Sequence, residues 1–351
     1  MPDPLIERLE REGTLPREGF LELLRHPTPE RRRELFDRAV RIRKRVYGDT
    51  IFIRGLIEIT NHCRNNCYYC GIRAGNLRAE RYRLEPAEIL ACCERGHALG
   101  FRTFVLQGGE DPGFPDEQLA AVVRSIKAAF PDSAVTLSVG ERDRETYRRF
   151  REAGADRYLL RHETASPAHY RKLHPAGMSW EDRMHCLETL RELGFQTGAG
   201  FMVGSPYQTP EELAEDLLFL ARFRPEMAGI GPFIPHADTP FGGEPAGSAE
   251  RTLDLLAIVR IMLKDVLLPA TTALATLLPE GRERGILAGA NVVMPNLSPP
   301  DVRGKYALYD RKLHTGQEAA EAVEDLKQSL RKIGCRIATD RGDHRKDTQD
   351  V

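Results

Sequence analysis

Three cysteines fall within the run Cys63-Arg-Asn-Asn-Cys67-Tyr-Tyr-Cys70, spaced three and then two residues apart. Thiolates are the usual ligands of iron–sulfur clusters, and most such clusters take four. Three from one short loop leave one iron without a protein ligand, open to chelation by a small molecule. Structural zinc competes for any group of thiols, but its sites usually recruit a second pair of Cys or His ligands. His62 adjoins the loop, yet no second C-x2-C pair occurs in the chain. A disulfide framework fits poorly, because the seven cysteines are an odd number in 351 residues and no secretory segment precedes them. The loop reads as a ligand set.

A loop of this kind needs a scaffold, and the sequence predicts one. From residue 51 a strand–helix alternation sets in. The expected strands are 53–59, 103–107, 134–139, 157–162, 197–203, 228–234, 270–275 and 291–294. Helices are expected between them at 86–99, 116–130, 144–153, 180–193, 210–223, 249–264 and 281–287. Several close with Gly just past the last turn, as at Gly100, Gly154 and Gly194. The pattern predicts the α/β class and a (β/α)8 TIM barrel, in which chemistry sits at the carboxyl ends of the strands. The cysteine loop follows the first strand. Residues 1–50 read as an N-terminal helical extension, with Thr28 capping a helix that opens at Pro29. Residues 51–303 form the barrel, and 304–351 carry a final helix near 316–333 and a charged tail from Asp340, expected to be disordered.

Composition excludes several classes. Hydrophobic residues at 41% suffice for a large core, and a formal charge of −1 argues against a broad nucleic-acid face. No apolar run approaches a membrane span, and the charged start is unlike a signal peptide. The expectation is a cytoplasmic protein with reduced thiols.

With an aromatic before its last Cys, the loop resembles that of radical S-adenosylmethionine (SAM) enzymes. There the open iron binds the amino and carboxylate groups of SAM, and the cluster's electron cleaves it to a 5′-deoxyadenosyl radical. Gln107-Gly108-Gly109-Glu110 follows the second strand, where the same resemblance implies contact with the SAM amino group. After the third strand, Thr136, Ser138 and Glu141 offer two hydroxyls and a carboxylate at the barrel mouth, with ordinary strand-end capping as the alternative. Ser138 is assigned to the cofactor. Arg161 and Glu163 would be costly in a buried strand unless paired or bound to ligand. Glu163 is assigned to the ribose hydroxyls and Arg161 to an anionic substrate group, against a mutual ion pair. Arg183 could take the SAM carboxylate bidentately. Ile230 could pack on the adenine, and Thr271 and Thr272 could bond a polar substrate. Tyr306 and Tyr309 could close the mouth. His236, a lone loop histidine, reads as structural. Cys92, Cys93 and Cys186 read as small buried hydrophobes.

Residues 30–310 resemble the HydE family of FeFe-hydrogenase maturases. The resemblance rests on Arg54, the cysteine loop with the following Gly71, Gln107-Gly-Gly-Glu-Asp-Pro112 and Arg157-Tyr-Leu-Leu-Arg-His-Glu-Thr-Ala165. It continues through Gly229-Ile-Gly-Pro-Phe-Ile-Pro-His236, Pro269-Ala-Thr-Thr-Ala273 and Gly289-Ala-Asn-Val-Val-Met-Pro-Asn296. It implies a 4Fe–4S cluster on Cys63, Cys67 and Cys70. It implies SAM held by Tyr69, Gly109, Glu110, Glu163, Arg183 and Ile230. A substrate cavity would be lined by Arg54, Gln107, Arg161, Thr271, Thr272, Met294, Tyr306 and Tyr309, with Arg161, Gln107 and Tyr306 nearest the chemistry. The implied substrate is a cysteine-bound iron carbonyl cyanide complex, delivered by the maturase HydG and processed towards the diiron subcluster of hydrogenase, with HydG and HydF as transient partners; neither nucleic acid nor membrane is an expected partner. Many members carry further cysteines after the tyrosines for a second cluster. Here residues 310–333 have none and Cys335 stands alone, so no Cys-bound second cluster is expected. Two alternatives stay open: an amino-acid mutase of methylornithine synthase type, and a non-catalytic iron–sulfur carrier.

Overall fold

Parallel strands covered on both faces must be apolar along their length and need a helix over each crossover. The chain supplies the helices, and largely apolar strands broken by a few buried polar residues, in the computed structural model, which describes residues 2–313 and 319–345. It opens with α1 (Pro4–Glu12), α2 (Arg17–Arg25) and α3 (Pro29–Tyr47), followed by β1 (Thr50–Ile53), β2 (Gly55–Thr60), α4 (Pro86–Ala98) and β3 (Thr103–Gly108). Next come α5 (Asp116–Ala129), β4 (Ala134–Ser138), α6 (Arg144–Glu152), β5 (Arg157–Leu159), α7 (Pro167–Leu173), α8 (Trp180–Glu192), β6 (Gln196–Ala199) and β7 (Met202–Val203). The second half runs α9 (Pro210–Phe223), β8 (Met227–Ala228), β9 (Gly231–Pro232), α10 (Ala249–Met262), α11 (Thr272–Leu277), α12 (Gly281–Leu287) and β10 (Val292–Val293). It ends with α13 (Pro300–Arg303), α14 (Ala319–Lys332) and β11 (Arg336–Ala338).

Strands β2-β3-β4-β5-β6-β8 pair in parallel in that order. Short backbone bridges complete the circle: Met227 with Leu267, Pro269 with Val292, and Leu56 with Asn296. Leu56 N donates to Pro295 O at 2.9 Å and Leu297 N returns a bond to Leu56 O at 2.7 Å, so the barrel is closed. A Cβ on Gly55 would lie 2.3 Å from Leu297 Cδ1, and one on Gly96 2.5 Å from it. Two glycines thus make the slot that lets the seam shut.

The seventh stave departs from expectation. Residues 267–270 form it through isolated bridges, and Thr271 already caps α11, its hydroxyl accepting from Leu274 N. The β-branched Thr271-Thr272 pair suggested a strand to Ala275, but a threonine hydroxyl satisfies an orphan helix amide as readily. The N-terminal helices lie on the outside of the barrel. Arg32 of α3 reaches Asp254 of α10 at 2.6 Å, and Arg17 of α2 reaches Glu215 of α9 at 3.0 Å. No helix among the described residues is long and apolar enough to cross a membrane.

The charged tail is the larger surprise. β11 pairs with β1 at the amino-terminal end of the barrel, and residues 340–345 then cross its floor instead of dispersing into solvent. Arg157, its side chain fully buried, donates to Thr103 Oγ1 at 2.9 Å, Arg341 O at 2.8 Å and the Asp343 carboxylate at 2.6 Å. A composition that reads as solvated is held because the cation it neutralises sits inside. The rest of the expected tail, 346–351, and the expected start of the last helix lie outside the described residues.

Asp343 titration should show this plug. Burial alone would raise its carboxyl, but hydrogen bonds from Arg341 and Arg157 outweigh burial and hold it at about 2. A depressed carboxylate stabilises the fold above its unfolded value near ~3.9 and loses that contribution as pH falls towards 2. We expect Asp343→Ala to cost about 1–2 kcal/mol at pH 7 by urea unfolding, reduced from a fully buried pair because Asp343 is part-exposed. The gap to the unsubstituted protein should shrink steadily below pH 4.

Candidate active site

The cysteine loop leaves the carboxyl end of β2 and is clamped before it turns back. Arg81 donates to four of its carbonyls, those of Asn61, Ile72, Arg73 and Asn76, at 2.6–3.1 Å. Buried Asn61 bonds Tyr82 N, Glu80 O and Lys305 O. Such a loop cannot satisfy its own backbone, and one planar guanidinium with five donors does it for several residues at once. Sequence reasoning missed Arg81 and Asn61, which carry no signal beyond an Arg in an Arg-rich stretch.

Cys63, Cys67 and Cys70 are free thiols, each half-buried. Burial pushes all three up, Cys70 to about 12; Cys63 adds to the rise at Cys67 and Cys70, and Cys70 to that at Cys67. As thiolates they therefore need a cationic centre between them. Among the described residues no three His, Cys, Asp or Glu converge on a single-ion site. Behind the thiols, a Cβ on Gly109 would lie 2.2 Å from His62 O and 2.7 Å from Cys63 Cβ, so only glycine allows β3 to approach this closely.

The residues expected around SAM gather at this end. Tyr69 donates its hydroxyl to His174 Nε2 at 3.1 Å, and His174 Nδ1 in turn donates to Tyr170 O at 2.9 Å. Burial lowers the His174 pKa to about 3, in keeping with that neutral tautomer. Glu110 accepts from Glu141 N at 2.8 Å and Arg64 Nε at 3.1 Å. Ser138 ends β4, in register with Gln107 of β3. Ile230 is fully buried between β8 and β9. Arg183 pairs with Glu141 and donates to Arg161 O at 2.7 Å.

Glu163 has a left-handed backbone at φ 65°, costly for a residue with a side chain. Its own amide donates to Gly200 O at 3.0 Å, and Met202 N donates to its carbonyl at 3.3 Å. Next to it, buried His162 accepts from Gly200 N at 3.2 Å and meets the Asp216 carboxylate at 3.2 Å; Asp216 also accepts from Ala165 N at 2.6 Å. The strained residue is held from both sides. Its carboxylate lies 3.0 Å from Arg161 Nη2, so the ion pair that competed with ligand binding does form. The pair is imperfect: Arg161 Nε and Nη2 and Glu163 Oε2 are buried without a hydrogen-bond partner of good geometry. Buried polar atoms are rarely left so, and these await one.

Further in, Gln107 Nε2 donates to the hydroxyl of Tyr306 at 3.3 Å. Tyr306 is buried, and burial raises Tyr309 to about 12. Thr272 opens α11 behind Thr271, at the carboxyl end of the seventh stave. Arg54 and Met294 sit lower than the mouth. Arg54 precedes β2 and points across the barrel at Met227 Sδ, 3.0 Å away, with Nε and Nη2 unpartnered; Met294 packs against the apolar cluster containing Met227 and Leu267. His236 accepts from Asp238 N at 3.1 Å and packs under Gly71, where a Cβ would meet its ring at 2.3 Å. That is a structural histidine.

Comparison with known proteins shows the family. Residues 57–220 match the radical SAM superfamily model. The chain is 46% identical over 308 residues to the [FeFe] hydrogenase maturase subunit HydE of Thermotoga maritima, covering 88% of each chain. It is 27% identical to 3-methylornithine synthase of Methanosarcina barkeri, over 85% of this chain and 83% of that one. A crystal structure of methylornithine synthase superposes with a TM-score of 0.83 at 26% identity, covering 95% of this chain and 97% of that chain. The hydrogenase maturase HydG shares the fold, with a TM-score of 0.79 at 20% identity over 95% of this chain and 75% of its own. This chain belongs to the HydE family of radical SAM enzymes that mature [FeFe] hydrogenase.

Proposed function

We propose that the protein uses a 4Fe–4S cluster on Cys63, Cys67 and Cys70 to act on a cysteine-bound iron carbonyl cyanide complex bound inside the barrel. The observation that carries this reading is the set of buried polar atoms on Arg161 and Glu163, just past β5 at the carboxyl end of the barrel, that make no well-formed hydrogen bond. When bound, cluster and SAM supply one-electron reductive cleavage to methionine and a 5′-deoxyadenosyl radical.

The protein's share is binding, orientation and exclusion of water. Glu163 would take the ribose hydroxyls through Oε2, which faces Arg161 Nη2 without a well-formed hydrogen bond, and Arg183, on the other side of Glu141, the methionine carboxylate. Gly109 and Glu110 would receive the amino group, Tyr69 and Ile230 the adenine, and Ser138 a further polar edge. Arg161 would turn its unpartnered nitrogens to the carboxylate of the substrate's cysteine, leaving the sulfur for the radical to attack. Gln107 already donates to Tyr306, so the Tyr306 proton is left to point at an acceptor in the chamber. Thr272, Tyr309 and the Thr271 hydroxyl beyond its capping bond would line the upper wall, Arg54 and Met294 the lower end. HydG would deliver the complex and HydF receive the product. The same reading places the enzyme in the reducing cytoplasm and assigns it no Cys-bound second cluster.

The likeness to methylornithine synthase over nearly the whole chain favours one other reading, rearrangement of an amino-acid skeleton. Anaerobic turnover separates the two. With cluster-loaded protein, SAM and reductant, adenosyl product should depend on the iron complex and vanish in Cys67→Ala; an isomer formed from added lysine would support the mutase instead. SAM left uncleaved by an intact cluster would overturn both. Glu163→Gln should weaken SAM binding about tenfold in equilibrium titration, the value of one charge-assisted hydrogen bond, while iron content stays at the unsubstituted level.

A further inference from the structure

Glu58 lies mid-strand in β2, its side chain fully buried. Arg54 of the same face points across the barrel to Met227, so by alternation Glu58 also faces inward, beside its register partner Gln107. An unpaired carboxylate there would be prohibitively costly. Its partner arrives from the far end of the chain. Lys312, only 10% exposed, pairs with Glu58 Oε1, while Asn296 Nδ2 donates to Oε2 at 2.9 Å. The same ammonium donates to Tyr306 O at 2.8 Å and stands 4.7 Å from the centre of the Tyr306 ring. Lys312 therefore grips Tyr306 at two points, backbone and ring face, with its own position fixed by β2.

The strap that bears both residues is not a free lid. Gly71 N donates to Leu308 O at 2.8 Å and Asp310 N to Pro235 O at 3.0 Å. A Cβ on Gly71 would lie 2.2 Å from Ala307 O. The strap is thus stitched to the residue after Cys70 and to the loop beyond β9, and Lys312 draws its end into the barrel.

We propose that Lys312, through its ion pair with Glu58, is the positioning residue that sets Tyr306 against Gln107 and the substrate. This rests on the reading that Tyr306 meets substrate. An ion pair of this depth contributes little net stability compared with a neutral pair of similar shape, but it fixes geometry. Because Lys312→Met alone strands a buried carboxylate, the variant to make is the neutral pair Glu58→Gln/Lys312→Met, alone and combined with Tyr306→Phe. Cluster-loaded protein is assayed with SAM and the cysteine-bound iron carbonyl cyanide complex. We expect kcat to fall about tenfold with KM within about twofold, while iron content and SAM affinity hold. In the Tyr306→Phe background the same pair should change kcat by less than about twofold, since coupled residues are non-additive. An unchanged kcat for the pair beside a lowered one for Tyr306→Phe would overturn the role of Lys312 and leave the functional reading standing. An equal fall in both backgrounds, or a fall that tracks lost iron, would also overturn it. Full activity of Tyr306→Phe would overturn the roles of Tyr306 and Lys312 together, whereas only an unsubstituted protein that fails to turn over the complex would overturn the functional reading.

Discussion

Two backbone hydrogen bonds on Leu56 close the barrel, and the rest of the site depends on that closure. They tie the first stave to residues Pro295 and Leu297, with Gly55 and Gly96 leaving room for the Leu297 side chain. A closed sheet has no edge, so every polar group on its inner face must be answered by a neighbour, a ligand or a segment brought in from an end. An open sheet would let water do that work. Closure is what turns inward-facing Arg, Glu and Thr residues into a site.

The answers come from different parts of the chain according to depth. At the floor, Arg157 is met by Asp343 from the tail. Near the mouth, Glu58 is met by Lys312 from the strap, and Arg183 by Glu141. Just past β5, Arg161 and Glu163 face each other at 3.0 Å without a well-formed hydrogen bond, and Arg54, near Arg157, touches only a thioether. These charges are among those the described residues answer incompletely. Desolvated charges left incompletely bonded are expensive, and the places where the fold bears that expense are the places where a charged, polar ligand would relieve it. The strain at Glu163 belongs to the same pattern, since a left-handed carboxylate residue needs its flanks fixed, and His162, Asp216 and Gly200 fix them.

Much of this was legible in the sequence, for a physical reason. Three thiols within one loop, a Gly-Gly-Glu turn and glycine-terminated helices are local signals, written at a spacing that the backbone reads directly. The stave at 267–270 was misjudged because threonine serves both strands and helix caps, and only the tertiary context decides. The remaining failures are partnerships across the chain. Asp343 and Arg157 are 186 residues apart, His174 and Tyr69 105, and Lys312 and Glu58 254. Taken alone, a charged tail reads as solvated and a lysine after two tyrosines as surface. Nothing in their spacing announces the buried charge that each meets.

On the proposed reading, the Cys63, Cys67 and Cys70 thiolates leave one iron for SAM. Electron–nuclear double resonance on the reduced, cluster-loaded protein tests it directly, with SAM isotopically labelled at the amino nitrogen and carboxylate oxygen. The account requires hyperfine coupling from both labels, at the strength of atoms bound to iron. Coupling from neither, with the reduced cluster intact and SAM bound, would contradict it.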